Sequence, residues 1–230
     1  VWPRPLEGLA GENINETRRP APNRKFKRVI MDLADPKSNL WTHTAAPAPD
    51  CPALQGERRA DVVVVGGGFT GLSAALHLAE GGADTVLLEA GQPGFGASGR
   101  NNGQVIPAYS RHNPDDAVAT FGQERGERLN EMVAASADLV FDLIHKHDID
   151  CDAVQKGWLQ PAHRASRMRG VQAKYDQWAA RGAPVEMYDK DQAAALTGSP
   201  IYHGGWMHRS GGHIQPLGYS RGLAGAAQAA

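Results

Sequence analysis

Cysteine is almost absent from this chain. Cys51 and Cys151 stand alone and far apart, with no CxxC spacing. That excludes a disulfide framework and a cysteine zinc site, and leaves two reduced thiols. A dominant charge is lacking too. The 24 Lys+Arg residues meet 25 Asp+Glu, so nothing in the balance asks for nucleic acid or an anionic membrane surface. No apolar run reaches the ~18–20 residues of a membrane-spanning helix. The N-terminus lacks the apolar stretch of a signal peptide. A cytoplasmic location is therefore the default expectation. No metal-ligand spacing and no Ser/His/Asp arrangement emerges, so no metal is expected.

What is present is enough for a packed core. Hydrophobic residues make up 41% of 230 positions, a length that suits one large domain or two small ones. The chain begins with Val1, and residues 1–30, rich in Pro, Arg and Asn, show no helix or strand period. They are expected to be a disordered leader, with Met31 as the native start. Residues 31–60 read as a lead-in segment, kept extended by Pro47, Pro49 and Pro52. The chain stops within an Ala-rich, helix-like run at 225–230, without a cap or stop signal. A truncated fragment is the expectation.

Between these ends the periodicity is informative. Asp61 and Val62–Val65 form a short β-branched run, expected to be a buried parallel strand. A helix follows over 70–81, with Leu72, Ala75, Leu76 and Ala79 on one face, and Gly81-Gly82 ends it. Residues 85–88 predict a second buried strand, closed by Glu89. A long helix is expected from Pro114-Asp115-Asp116, divided near Gly122 or Gly126. Its second part places Leu129, Met132, Val133, Val140, Leu143 and Ile144 on one face. Residues 153–161 read as strand or hairpin, and 163–181 as a helix with Met168, Val171, Tyr175 and Trp178 on one face. Strands are expected at 185–188 and 201–207. A short helix follows Asp189 as N-cap, and a last helix begins near Pro216.

The chemistry sits in the glycines. A lone GxGxxG is weak, but Gly66, Gly68 and Gly71 directly follow a strand and open a helix. Gly66 permits the tight turn, Gly68 lets backbone approach a pyrophosphate, and Gly71 allows close helix–strand packing. The helix N-terminus offers free N–H groups and the positive end of its dipole to phosphate. Glu89 follows Gly71 by 18 positions, close to the ~20 at which an acid reaches a ribose hydroxyl. An acid there disfavours a 2′-phosphate and so argues against NADP. This βαβ unit is a dinucleotide-binding fingerprint that does not by itself separate FAD from NAD. The loop from Gly94 to Gln104 is dense in small residues. Its composition fits both a ring-binding loop and a surface loop. Arg100 and Asn101 have the donors to meet phosphate or the edge of a ring.

At these residues the chain resembles the D-amino-acid oxidase-like FAD-dependent oxidoreductases, gamma-glutamylputrescine oxidoreductase type. The likeness rests on Asp61 with Glu89, the Gly-Ala-Ser-Gly-Arg-Asn stretch running to Gly103-Gln104, Leu40-Trp41-Thr42, and the 211–224 stretch. It implies an α/β fold: a Rossmann-like FAD-binding βαβ domain over 61–150, with the long helix, interleaved with an α+β substrate domain. That second domain starts at 151–230, with its C-terminal part missing. It implies that Gly66, Gly68, Phe69, Thr70 and Gly71 hold the FAD pyrophosphate and that Glu89 and Ala90 meet the ribose. Ser98, Gly99, Arg100, Asn101, Gly103 and Gln104 would then run beside pyrophosphate and flavin. Relatives tend to have Gly at the position of Asn102, and Asn tolerates positive φ best among the alternatives. The loop contains no His for covalent attachment, so non-covalent FAD is expected.

The resemblance implies oxidation of the C–N bond of an amine or amino acid, gamma-glutamylputrescine-like. The route is hydride transfer to flavin, with the imine then hydrolysed and O2 or a quinone as acceptor. His213 is a weak catalytic candidate, more plausibly a structural histidine; His203 and His208 are weaker still, and no catalytic residue is otherwise assigned. Two other readings stay open. One is an NAD-dependent Rossmann dehydrogenase. The other is a non-catalytic truncated fragment that holds FAD weakly or not at all.

Overall fold

The computed structural model describes residues 39–230. The leader over 1–30 and the Met31 start lie outside the described residues, as does the first part of the lead-in segment. A short helix, α1 (Leu40–Thr44), precedes an extended run that leads to strand β1 (Val62–Val65). Helix α2 (Phe69–Glu80) and strand β2 (Thr85–Leu88) complete a βαβ unit, with β1 and β2 parallel from Val62 opposite Thr85 to Val65 opposite Leu88. Gly82, at φ +82°, turns the chain out of α2.

The expectation that β1 is buried on both faces is corrected. Val62 and Val64 face inward, and the Val64 side chain lies against Gly71 on α2. Val63 and Val65 are 57% and 83% exposed. With period-two alternation, one face of the sheet packs on α2 and the other is open among the described residues.

A loop leads to strand β3 (Gln104–Val105) and then to helices α3 (Pro114–Phe121) and α4 (Gln123–Lys146). Gly122, at φ +81°, divides the helices, and an Asn113–Asp116 capping box starts α3. The buried stripe of α4 is Asn130, Ala137, Phe141, Leu143 and Ile144, while Met132 is exposed. Asn130 takes the inward place because its amide is satisfied there. It accepts from the Tyr109 hydroxyl at 2.9 Å and donates to the Pro114 carbonyl at 3.2 Å. Strands β4 (Trp158–Pro161), β5 (Val185–Tyr188) and β6 (Gly205–His208) form an antiparallel sheet in the order β4-β6-β5. Helix α5 (Met168–Ala179) packs on β5 and β6, and α6 (Lys190–Thr197) is capped by Asp189. The helix expected from 163 begins at 168, after a 3-10 turn. The strand expected from 201 begins at 205, because Gly204, at φ +131°, turns the chain before it joins the sheet.

Strand β7 (Gly212–His213) pairs antiparallel with β3, and helix α7 (Pro216–Ala229) follows. Leu72 and Leu76 of α2 share a core with Tyr219 and Leu223 of α7, and Phe141 and Ile144 of α4 join it. A second core gathers Trp178, Trp206, Val171 and Ala162.

Candidate functional site

The turn between β1 and α2 is built by what its residues lack. Gly66 has φ +106°, and its N–H donates to the Leu88 carbonyl at 2.8 Å, which anchors the turn to β2. A Cβ on Gly71 would collide with the Gly66 carbonyl oxygen. A Cβ on Gly68 would stand 3.0 Å from the Ser98 hydroxyl. The first-turn N–H groups of α2, those of Thr70 and Gly71 among them, have no carbonyl one turn back within the helix. The Phe69 N–H donates to the Ser98 hydroxyl at 3.0 Å. The Phe69 ring packs at 5.4 Å from that of Tyr219, so this residue offers the site only its backbone.

Glu89 sits at the end of β2 with its carboxylate tied to the same turn. Oε2 accepts from the Gly67 N–H at 2.6 Å and Oε1 from the Gly91 N–H at 2.9 Å. The Gly67 donor first, then Gly91 and Ala90, hold its carboxyl below the usual range, so Glu89 is ionised at neutral pH. Gly67 was the unassigned middle of the motif. Its signal was the Gly66-Gly67-Gly68 triplet, since a Cβ here would press on the Glu89 side chain at 3.1–3.2 Å.

The following loop runs from this turn to a cleft. The Gly94 N–H donates to the Gly67 carbonyl at 2.8 Å, and a Cβ on Gly94 would meet buried Ser220 of α7 at 2.6 Å. Gly99 is packed as tightly against the Gly94 carbonyl. Asn101 shapes the loop rather than pointing away from it: its amide donates to the Ser98 carbonyl at 2.8 Å and its oxygen accepts from the Gly103 N–H at 2.8 Å. Arg100 lies on the exposed side, its guanidinium 4.5 Å from the centre of the Phe95 ring. Ala90 and Thr70 are exposed. The positive φ falls on Gly103, at +73°, and not on Asn102; Asp148 and Asp152 alone adopt positive φ among the described non-glycine residues.

The cleft, of about 630 Å³, opens where the loop reaches β3. Asn102, Gln104 and His213 line it, and α1 faces them with Leu40, Trp41 and Thr44. Trp158 closes one side; its indole N–H donates to Gln104 Oε1 at 3.0 Å and its ring meets Trp206 edge-on at 5.9 Å. His213 is exposed and lies opposite Gln104 in the β3–β7 pair. Trp41, Asp152 and Trp158 had no local signal as site residues, because long-range pairing brings them together. Gln215 holds α1 in place. It is 3% exposed, and its amide donates to the Trp41 carbonyl at 2.8 Å and the Thr44 hydroxyl at 3.1 Å. Its oxygen accepts from the Gly218 N–H at 2.6 Å and so caps α7.

The other histidines lie elsewhere. His203 is exposed. His208 is fully buried between Trp178 and Trp206, and burial pushes its imidazole down to about 4. Cys151 is buried and its thiol is pushed up to about 12 by burial, then by Asp150 and Asp152, so it is an inert thiol. No group of metal-ligating side chains occurs among the described residues, and no described helix is long and apolar enough to cross a membrane.

A parallel βαβ unit with this glycine turn, a helix N-terminus open to an anion and an acid closing the second strand defines a dinucleotide-binding protein. The cradle fits such a group: where phosphates would approach, the chain presents glycines, backbone N–H groups and one small hydroxyl. Comparison with known proteins narrows the class. The chain belongs to the FAD dependent oxidoreductase (DAO) family, whose profile matches residues 61–230. It is 39% identical over 167 residues to gamma-glutamylputrescine oxidoreductase of Escherichia coli strain K12, covering 72% of this chain and 39% of that protein. The fold is similar to that of glycine oxidase from Geobacillus kaustophilus, with a TM-score of 0.60 and 23% identity over 75% of this chain and 45% of that one. It is also similar to L-amino acid deaminase from Proteus myxofaciens in complex with anthranilate, with a TM-score of 0.65 and 18% identity over 80% and 39% of the two chains. The chain thus spans about two fifths of the length of the curated relative. The family's cofactor is FAD, which sets aside the NAD-dependent alternative.

Proposed function

We propose that this chain binds FAD non-covalently along residues 66–104 and serves the oxidation of the C–N bond of an amine or amino acid. The observation that carries the reading is the path itself: glycine turn, Glu89 tied to it, and a close-packed loop that ends in a cleft. Gly66, Gly68 and Gly71 let phosphates approach backbone, and the Thr70 and Gly71 N–H groups donate to them. Ser98 accepts from Phe69 and keeps its own proton to donate. Ionised Glu89 accepts from ribose hydroxyls and repels a 2′-phosphate. Gly99, Asn101, Gly103 and Gln104 form the floor along which the ring system lies. Bound FAD supplies a two-electron acceptor for substrate hydride, and water hydrolyses the resulting imine. His213 is the imidazole on the cleft lining and the candidate for holding a proton near the substrate nitrogen. The named activity of the Escherichia coli relative supports a gamma-glutamylputrescine-like amine. O2 or a quinone as acceptor and a cytoplasmic setting belong to the same proposal.

A second reading is favoured by one observation. Among the described residues, the exposed Val63 and Val65 leave one face of the cofactor sheet open, which suits a chain that holds FAD weakly and turns nothing over. One experiment separates the two. The chain is loaded with FAD, gel-filtered, then mixed without oxygen with amines and amino acids. Bleaching of the visible flavin band supports the first reading; loss of all flavin on the column supports the second. Acid precipitation should leave the yellow colour in the supernatant. Colour in the pellet would contradict non-covalent binding.

A further inference from the structure

The lining of the cleft carries a charge signature. Among the described residues that line it, Asp152 is the one carboxylate and His213 the one imidazole, and there is no Lys or Arg. A substrate carboxylate would find no guanidinium or ammonium there, whereas a cation would find an anion and two indoles. Asp152 also holds an unusual backbone, with φ +48°, two residues before the Val154–His213 bridge. Such conformations persist where the surrounding structure imposes them. Trp158 is fixed in orientation by Gln104 and Trp206. Trp41 is fixed through its backbone by buried Gln215. An indole held in orientation, in one cleft with a carboxylate and a second Trp, is an arrangement that attracts an aliphatic ammonium group.

Part of this lining comes from the lead-in segment. The family profile begins at residue 61, yet Leu40, Trp41 and Thr44 of α1 complete the lining. We propose that α1 and the Asp152 turn form the selective wall of the cleft, with Asp152 as charge partner and Trp41 and Trp158 as faces for the cationic, uncarboxylated end of an aliphatic amine. This rests on the proposed function in taking the cleft as the substrate site, and it narrows "amine or amino acid" to the amine at this end.

The test uses binding, so it does not depend on turnover. Tryptophan fluorescence of the full 230-residue chain is titrated with n-butylamine and with 4-aminobutanoate, which carries the same ammonium but adds a carboxylate. Butylamine should bind at least tenfold more tightly than 4-aminobutanoate. D152N should weaken butylamine at least tenfold, since Asn keeps the left-handed backbone and removes only the charge. D150N, an exposed neighbour outside the lining, should leave binding unchanged, and unaltered thermal unfolding should show that D152N is folded. Equal binding of the two probes, or an unchanged affinity in D152N, overturns the inference. FAD retention is measured on the same samples. A chain that keeps FAD but fails the amine test loses this inference alone. A chain that passes it without retaining FAD loses the proposed function alone.

Discussion

At Gly71 one hydrogen atom decides whether the turn can close. A Cβ would enter the space of the Gly66 carbonyl oxygen, which is backbone and cannot swing aside. G71V should therefore lower FAD affinity by at least tenfold, about 1.4 kcal/mol or more; equilibrium dialysis measures this, and wild-type affinity would contradict it. His208 gives a second prediction at this scale. It is 0% exposed, and neither ring nitrogen has a hydrogen-bond partner among the described residues. Well above pH 6.5 the imidazole is neutral in both states. As pH falls, the unfolded chain takes up the proton first, so stability declines until folded His208 protonates near pH 4, opposed only in part by the Asp138 carboxylate. The loss is about 3 kcal/mol when complete. Below it Glu127, held at about 2 chiefly by Arg181, continues the decline. H208L should flatten the Tm profile between pH 6.5 and 4; an unchanged profile would remove His208 as the cause. The glycines and Glu89 were legible in the sequence because local turn chemistry demands those residue types. Asp152 and Trp41 were not, because only tertiary contact gives them a role.

At the scale of elements, α1 and α7 act as one device. Gln215 caps α7 and holds α1 by the same amide, and the Arg221 guanidinium reaches the Ala46 carbonyl at 2.6 Å to hold the next residues. Q215M keeps the volume but removes the cap and two part-buried donor bonds. It should cost about 2–3 kcal/mol in urea unfolding and raise hydrogen exchange over residues 40–46 more than over β4–β6. Uniform exchange would show that Gln215 supports the fold without fixing α1. Most elements were legible from periodicity and caps: α2 from its apolar face, α6 from Asp189, the α3–α4 break from Gly122. The errors have physical causes. Met132 was assigned inward by spacing, but a satisfied Asn130 took the buried place. The strand expected from Ile201 was delayed by the turn at Gly204. Pairing β3 with β7 could not be seen from two short runs so far apart in sequence.

At the scale of the whole molecule, the βαβ unit is covered on one face and, among the described residues, open on the other. Val63, Val65 and Leu88 present apolar side chains to solvent, at 57%, 83% and 38% exposure. Apolar sheet faces of this kind bind hydrophobic dyes and promote self-association. The chain should enhance the fluorescence of anilinonaphthalene sulfonate, and V63T combined with V65T should cut that signal by at least half without weakening FAD binding. Equal fluorescence in the double variant would place the sticky surface elsewhere. Val63, Val65 and Leu88 are not among the groups proposed to hold FAD, so the double variant separates the open face from cofactor capture. The direct measurement is therefore equilibrium dialysis of the purified chain against FAD and, separately, NAD. One FAD should bind per chain, released by acid, with NAD bound far more weakly. Failure to bind FAD, or a preference for NAD, would contradict it.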